Sequence, residues 1–194
     1  MPAVPPITEL LTIGYEGSTV QDVLAALAVA QVELLIDVRA MPRSRKPGFS
    51  KRQLAAGLDE KGIPYLHLQG LGTPKPGRDA VRAGHPEIME TIFREHMTSD
   101  RAQADLAQAK ALAAEKRVCL LCFEQDPNCC HRTIVAEMIA RESAQEIKNL
   151  LIRPLPHGGR GRRGRKAEVP TRDGSGQPGR DAPLLTMGRE QTDR

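Results

Sequence analysis

The stretch VELLIDVR, residues 32–39, places five apolar residues in eight positions and closes on an acid, a valine and an arginine. A near-continuous apolar run of this length marks a strand covered on both faces, as in a parallel sheet. A strand with one solvated face would alternate instead.

Working outward, LLTIGY at 10–15 reads as a preceding strand that stops at glycine. Ser18 with Gln21 three residues on forms a capping box, and Val20, Val23, Leu24 and Leu27 share one face, predicting a helix over 18–30. Downstream, AMPRSRKPGF is a basic, proline-rich loop, Ser50 with Gln53 is a second capping box, and Lys61-Gly62 ends the helix that follows. IPYLHL predicts a short third strand, and residues 69–84 carry too many Gly, Pro and charged residues for a regular element, so they read as a long functional loop. Helices follow over 86–98 and 100–115, then a strand RVCLLCFE, a helix TIVAEMIARE and a last strand IKNLLIR. Alternating strands and helices predict an α/β, three-layer, Rossmann-like domain with a mostly parallel sheet over residues 1–153.

From residue 154 the composition turns to Arg, Gly and Pro, which cannot bury enough apolar surface to offset ordering, so 154–194 is expected to be a disordered basic tail. Residues 153–194 hold ten Lys and Arg against five Asp and Glu, while the rest hold eighteen against nineteen, so the net charge of +4 belongs to the tail. A basic surface on the domain therefore does not follow from overall charge. Aromatic content of 3% leaves Ala, Leu, Ile and Val to build the core and argues against base stacking as the main recognition mode. No apolar run approaches the roughly 18 residues of a membrane span, the start lacks a secretory signal, and the cysteines are clustered rather than dispersed. The expectation is a cytoplasmic protein with reduced thiols and no membrane partner.

In parallel α/β sheets ligands bind beyond the carboxyl ends of the strands. That rule gathers Gly14-Tyr15-Glu16, Asp37-Val38-Arg39 with its loop, His67 to Arg78, and Glu124 to Arg132 into one mouth. Gly14, Tyr15, Arg39, Arg45, His67, Lys75, Arg78 and Arg132 are the candidate ligand contacts, with the cationic side chains suited to phosphate or carboxylate. Asp37 and Glu124 are candidates for general base or for ligands of a Mg²⁺ accompanying a phosphate. No G-x4-G-K-[ST] occurs and no G-x-G-x-x-G follows the first strand, which removes P-loop and dinucleotide readings.

CLLCFEQDPNCCHR, residues 119–132, holds all four cysteines. CLLC has zinc-knuckle spacing but lies in an apolar run with no turn, and residues three apart on a strand point to opposite faces, so Cys119 and Cys122 do not share a metal. Cys122, Cys130 and His131 are a conceivable triplet, yet adjacent residues seldom converge on one ion, so no metal ligands are assigned and zinc is disfavoured. Cys130, near a helix N-terminus beside His131 and Arg132, has the surroundings of an activated thiol. Arg132 follows it by only two residues, which is not the spacing of a phosphatase anion loop.

Taken together, TIGYEG, IDVRAMPRSRKPGFSK, the LGTPK loop with Arg78, and LLCFEQDPNCCHR resemble the bacterial and archaeal family known as domain of unknown function 488, over about residues 10–152. Its pattern matches Gly14; Asp37, Arg39, Pro42, Ser44 and Arg45; Tyr65 and His67; Leu71, Gly72, Lys75 and Arg78; and Cys122, Glu124, Cys130, His131 and Arg132. Cys119 and Cys129 lie outside the pattern. The resemblance implies a fold and a site and assigns no reaction.

The leading expectation is an enzyme that binds a phosphate-bearing small molecule or nucleic acid at the strand ends, with Asp37, Glu124, Cys130 and His131 supplying the chemistry. A non-catalytic nucleic-acid binder using the Arg-Gly-rich tail is the alternative. A thiol redox sensor using Cys122 and Cys130 is the third.

Overall fold

A computed structural model describes residues 7–152. Five strands form one all-parallel sheet in the order β3-β2-β4-β1-β5, where β1 is Glu9–Gly14, β2 Leu34–Asp37, β3 Tyr65–His67, β4 Val118–Cys122 and β5 Glu146–Leu150. Six α-helices accompany it among the described residues: α1 Val20–Val29, α2 Lys51–Asp59, α3 Lys75–Arg82, α4 Pro86–His96, α5 Asp100–Glu115 and α6 His131–Ser143. The α/β fold expected from VELLIDVR is the fold observed, with β2 at the four residues LLID, all buried.

The two-residue period of a strand sends its side chains into two separate cores. Leu34, Ile36, Leu120 and Cys122 pack with Met89, Phe93, Leu106, Ile134 and Val135 from α4, α5 and α6. Leu35, Leu11, Cys119 and Leu121 pack with Val23, Leu27, Leu54 and Leu58 from α1 and α2. These are the three expected layers, and they put Cys119 and Cys122 on opposite faces.

Three local expectations are corrected. The α1 cap is one residue later than predicted: Thr19 Oγ1 accepts from the Asp22 backbone N–H and the Asp22 carboxylate accepts from the Thr19 N–H, while Ser18 still lies in the turn that leaves Tyr15. Ser50 does start α2, but its hydroxyl donates to the Ser44 carbonyl at 3.1 Å and caps no helical N–H. Residues 69–84 are not an irregular loop. They form a 3-10 turn at Gln69–Leu71 and then α3, because its prolines fall at the N-cap and in the first turn, where a missing N–H breaks no helical bond.

No helix among the described residues is long and apolar enough to cross a membrane. The tail expected to be disordered lies outside the described residues.

Candidate functional site

Strand register brings the carboxyl ends of the central strands level: Gly14 pairs with Cys122, and Asp37 with both Leu121 and His67. Beyond that edge lies a cleft of about 620 Å³. Its walls carry Arg43, Arg45, Arg78 and Arg82, with Tyr15 and Phe123, and the buried Arg39, Cys122 and His131 line it toward the sheet together with Glu124.

Behind the cleft is a buried ionic frame. Asp37, 0% exposed, accepts from Arg39 Nε at 2.8 Å and from a second guanidinium nitrogen at 2.6 Å, and also from the Tyr65 hydroxyl at 2.6 Å. The remaining Arg39 nitrogen donates to the Tyr15 hydroxyl at 2.8 Å and to the Phe49 carbonyl at 3.0 Å. Burial, followed by the neighbouring Asp37 charge, drives the Tyr65 phenol far above its ordinary pKa. Burial opposes the Arg39 charge, but its bonds to Asp37 outweigh that and raise its pKa, so the guanidinium stays charged. His67 Nε2 lies 2.8 Å from the Arg39 carbonyl oxygen, and Tyr15 stacks on Phe49 with ring centroids 4.1 Å apart. Asp37, Arg39 and His67 thus brace the loop of residues 40–50, and Asp37 does not line the cleft as a base or metal ligand would.

Arg132 is displaced from its expected role in the same way. It is 1% exposed, and its guanidinium donates to the carbonyls of Glu124 and Gln125 and to Thr12 Oγ1. An arginine so engaged holds the turn after β4 in place, and it is not among the residues lining the cleft. Gly14 serves that turn too: a Cβ there would fall 1.8 Å from the Glu124 carbonyl oxygen, so only glycine lets the two backbones close. Gly72, just after the Gln69–Leu71 turn, does likewise against the start of the 40–50 loop, where a Cβ would meet the Ala40 nitrogen at 2.1 Å. Lys75 is exposed and pairs with Asp79, and it is not among the residues lining the cleft.

What remains in the cleft is a set of cations without carboxylate partners. Arg43 and Arg45 are exposed and have no ion pair or hydrogen bond among the described residues. Arg78 donates only to the Thr73 carbonyl at 2.6 Å and toward the Met41 sulfur at 3.7 Å. Arg82, by contrast, is paired with Asp79 at 2.9 Å. Arg43 was missed from sequence because its neighbour Arg45 matched the family pattern and it did not; the basic run RSRK was the available signal.

Against this wall stands a compact polar cluster. Glu124 Oε2 lies 3.1 Å from both the Cys122 and the Cys130 sulfur, and His131 Nδ1 lies 3.7 Å from the Cys122 sulfur. His131 Nε2 sits 2.9 Å from the Val38 carbonyl oxygen, which assigns the ring proton to Nε2 and leaves Nδ1 aimed at the sulfurs. Cys122, Cys130 and His131 offer ligand atoms all within 4.8 Å of one another. The expectation that adjacent residues would not converge fails here for a local reason: Cys130 is the extended N-cap of α6 and His131 its first helical residue, and that break in direction turns both side chains inward.

The cluster shares protons unevenly. Burial, then the nearby Cys130 sulfur, raises the Glu124 carboxyl above the usual carboxylate range. Hydrogen bonding to Cys130, then burial, holds the Cys122 thiol well above an ordinary thiol. Burial opposes ionisation of Cys130 as well, but bonds with Cys122 and His131 and the charges of His131 and Arg132 outweigh it, and its pKa falls well below the thiol value. Burial likewise opposes charge on His131, and Cys130 with the Val38 carbonyl outweighs it and raises the imidazole. These opposed shifts make Cys130 the more readily ionised of the two thiols.

The fold and cleft define an α/β protein with an arginine-walled recess over a thiol, carboxyl and imidazole cluster. The sequence profile described as Domain of unknown function DUF488 matches residues 19–139, more than half of the chain, and the chain belongs to that family. No curated protein and no solved structure matches it.

Proposed function

We propose that this protein is an enzyme acting on a phosphate-bearing ligand, a nucleotide or a nucleic-acid end, whose phosphate is held by Arg43, Arg45 and Arg78 over the Cys122, Glu124, Cys130 and His131 cluster. The observation that carries the reading is the convergence of three guanidiniums without carboxylate partners on one cleft. Guanidinium forks match the paired oxygens of a phosphate, and cations left unpaired in a recess keep their charge available for an incoming anion. Arg43 replaces Arg39 and Arg132 in this role, since both of those are bound to the fold. Glu124 is placed to accept a proton from a nucleophile in the cleft, and Tyr15 and Phe123 offer apolar contact to a base or sugar. Reduced thiols suit a reducing compartment, and we place the protein in the cytoplasm.

Equilibrium binding of the full chain to inorganic phosphate, nucleoside mono- and triphosphates and short oligonucleotides tests the reading. Binding should fall at least tenfold when Arg43, Arg45 and Arg78 are all changed to Ala, with the unfolding midpoint unchanged. Affinity that survives this triple substitution and vanishes on removal of residues 154–194 would transfer recognition to the tail and overturn it.

A further inference from the structure

The cluster beneath the arginine wall has a property that phosphate recognition does not require. Two sulfurs and one imidazole nitrogen point at a common centre, and all three residues are buried: Cys122 is 4% exposed, Cys130 3% and His131 6%. A buried cysteine alone is an ordinary small apolar residue, but a buried imidazole nitrogen aimed at a cysteine sulfur is not. We propose that Cys122, Cys130 and His131 form a binding site for a divalent cation of the Zn²⁺ class, with its open side toward Glu124 and the cleft.

Four observations converge on this. First, ligands about 2.0–2.3 Å from a tetrahedral zinc lie roughly 3.4–3.8 Å from one another, and the Cys122 sulfur is 3.7 Å from His131 Nδ1. Second, His131 is oriented as metal-bound histidines are: its far nitrogen donates to the Val38 backbone carbonyl at 2.9 Å, which fixes the ring and presents Nδ1 as the lone-pair donor. Third, the donor set of two thiolates and an imidazole selects a borderline-soft ion over Mg²⁺ or Ca²⁺, which require oxygen. Fourth, three protein ligands with a carboxylate alongside leave a coordination position for solvent or substrate, the arrangement of a catalytic rather than a purely structural ion. Glu124 Oε2, 3.1 Å from each sulfur, borders that position.

The ligands come from rigid places. Cys122 ends β4, Cys130 and His131 open α6, and Val38 follows β2, so the site is assembled by the sheet edge and not by a loose loop. Cys129, exposed and turned toward Asp126 at 3.9 Å, is excluded from the set, as is Cys119 on the opposite face of the sheet. The inference deepens the phosphate reading, since an ion here would face the same cleft and could polarise a phosphoryl oxygen or a water. It rests on that reading only for the identity of the substrate.

The test uses the full chain, stripped with chelator under reducing conditions and titrated with Co²⁺ as a spectroscopic stand-in for Zn²⁺. One equivalent should bind with thiolate-to-metal charge-transfer bands in the near ultraviolet and the intense visible bands of a tetrahedral ion, and Zn²⁺ should displace it. Cys129→Ser and Cys119→Ser should keep the spectrum. Cys122→Ser and Cys130→Ser should each lose about half of the charge-transfer intensity, and His131→Ala should weaken binding at least tenfold. If a cluster variant fails to fold, alkylation of the wild-type chain with and without Zn²⁺, read by peptide mass, replaces it: Zn²⁺ should protect Cys122 and Cys130 and leave Cys129 reactive. No stoichiometric binding, a spectrum that survives the loss of either cluster cysteine, or absence of protection would overturn the proposal. Phosphate binding measured on the stripped protein separates this outcome from the other: it survives if only the metal site is wrong, and metal binding survives if only the phosphate reading is wrong.

Discussion

Asp37 grips Arg39 at two points, 2.8 Å to Nε and 2.6 Å to a terminal nitrogen, with the carboxylate fully buried and the arginine 6% exposed. Two residues apart at the end of β2, they set the base on which the basic loop 40–50 is mounted. Asp37→Ala strands a buried cation and should destabilise the fold by about 3–5 kcal/mol. Urea unfolding measures it, and the double variant with Arg39→Ala should cost less than the sum of the singles. Additive costs would mean the pair is not a unit.

Gly14→Ala should be severe for so small a change. The new Cβ meets the Glu124 carbonyl, backbone that cannot swing away, so β1 and the turn after β4 must separate. A loss of about 1–3 kcal/mol is expected, together with displaced Glu124 and weakened ligand binding. Full stability and unaltered binding would show that the two strands do not close as described.

Arg132 and Arg45 make a matched contrast. Arg132→Lys removes a buried planar fork from the Glu124 and Gln125 carbonyls and should cost about 2–3 kcal/mol in thermal or urea unfolding. Arg45→Ala should stay within about 0.5 kcal/mol of the parent and yet weaken phosphate affinity, because its side chain is exposed and free of ion pairs. The reverse pattern would exchange their roles.

Thiol labelling of the native protein should rank the cysteines by environment. Cys129 is exposed and should react first with iodoacetamide at neutral pH. Cys119 is fully buried, and burial pushes its thiol far above neutrality, so it should remain silent until the chain unfolds. Early labelling of Cys119 would mean that β4 opens under native conditions.

The strands were legible because burial on both faces leaves a mark that needs no partner to be read: LLI, before Asp37, and VCLLC are apolar without a break. The helix of residues 75–82 was not, because its proline and glycine are breakers in a helix interior and harmless or useful where they fall. Pro76 is in the first turn, and Gly77 sits where a Cβ would meet the Thr73 methyl at 2.7 Å. Position within the element decides that, and position is known only once its start is known.

By itself the sequence determined the layers, the edge at which a site would lie and the residue types available there, since strand period, helix period and the strand-end rule are all local or topological. Only tertiary structure decided which cations are free. Arg39, Arg45, Arg78 and Arg132 are equivalent as letters, but Arg39 and Arg132 are buried with several partners each, whereas Arg45 has none among the described residues and Arg78 gives one carbonyl bond at the cleft. It also decided that Cys122, Cys130 and His131 converge, through a strand end and a helix start brought level by register and a change of backbone direction at Cys130. Hydrogen bonds and ligand sets depend on distances of a few ångströms between segments far apart in the chain, and residue order does not encode those distances until the sheet has set them.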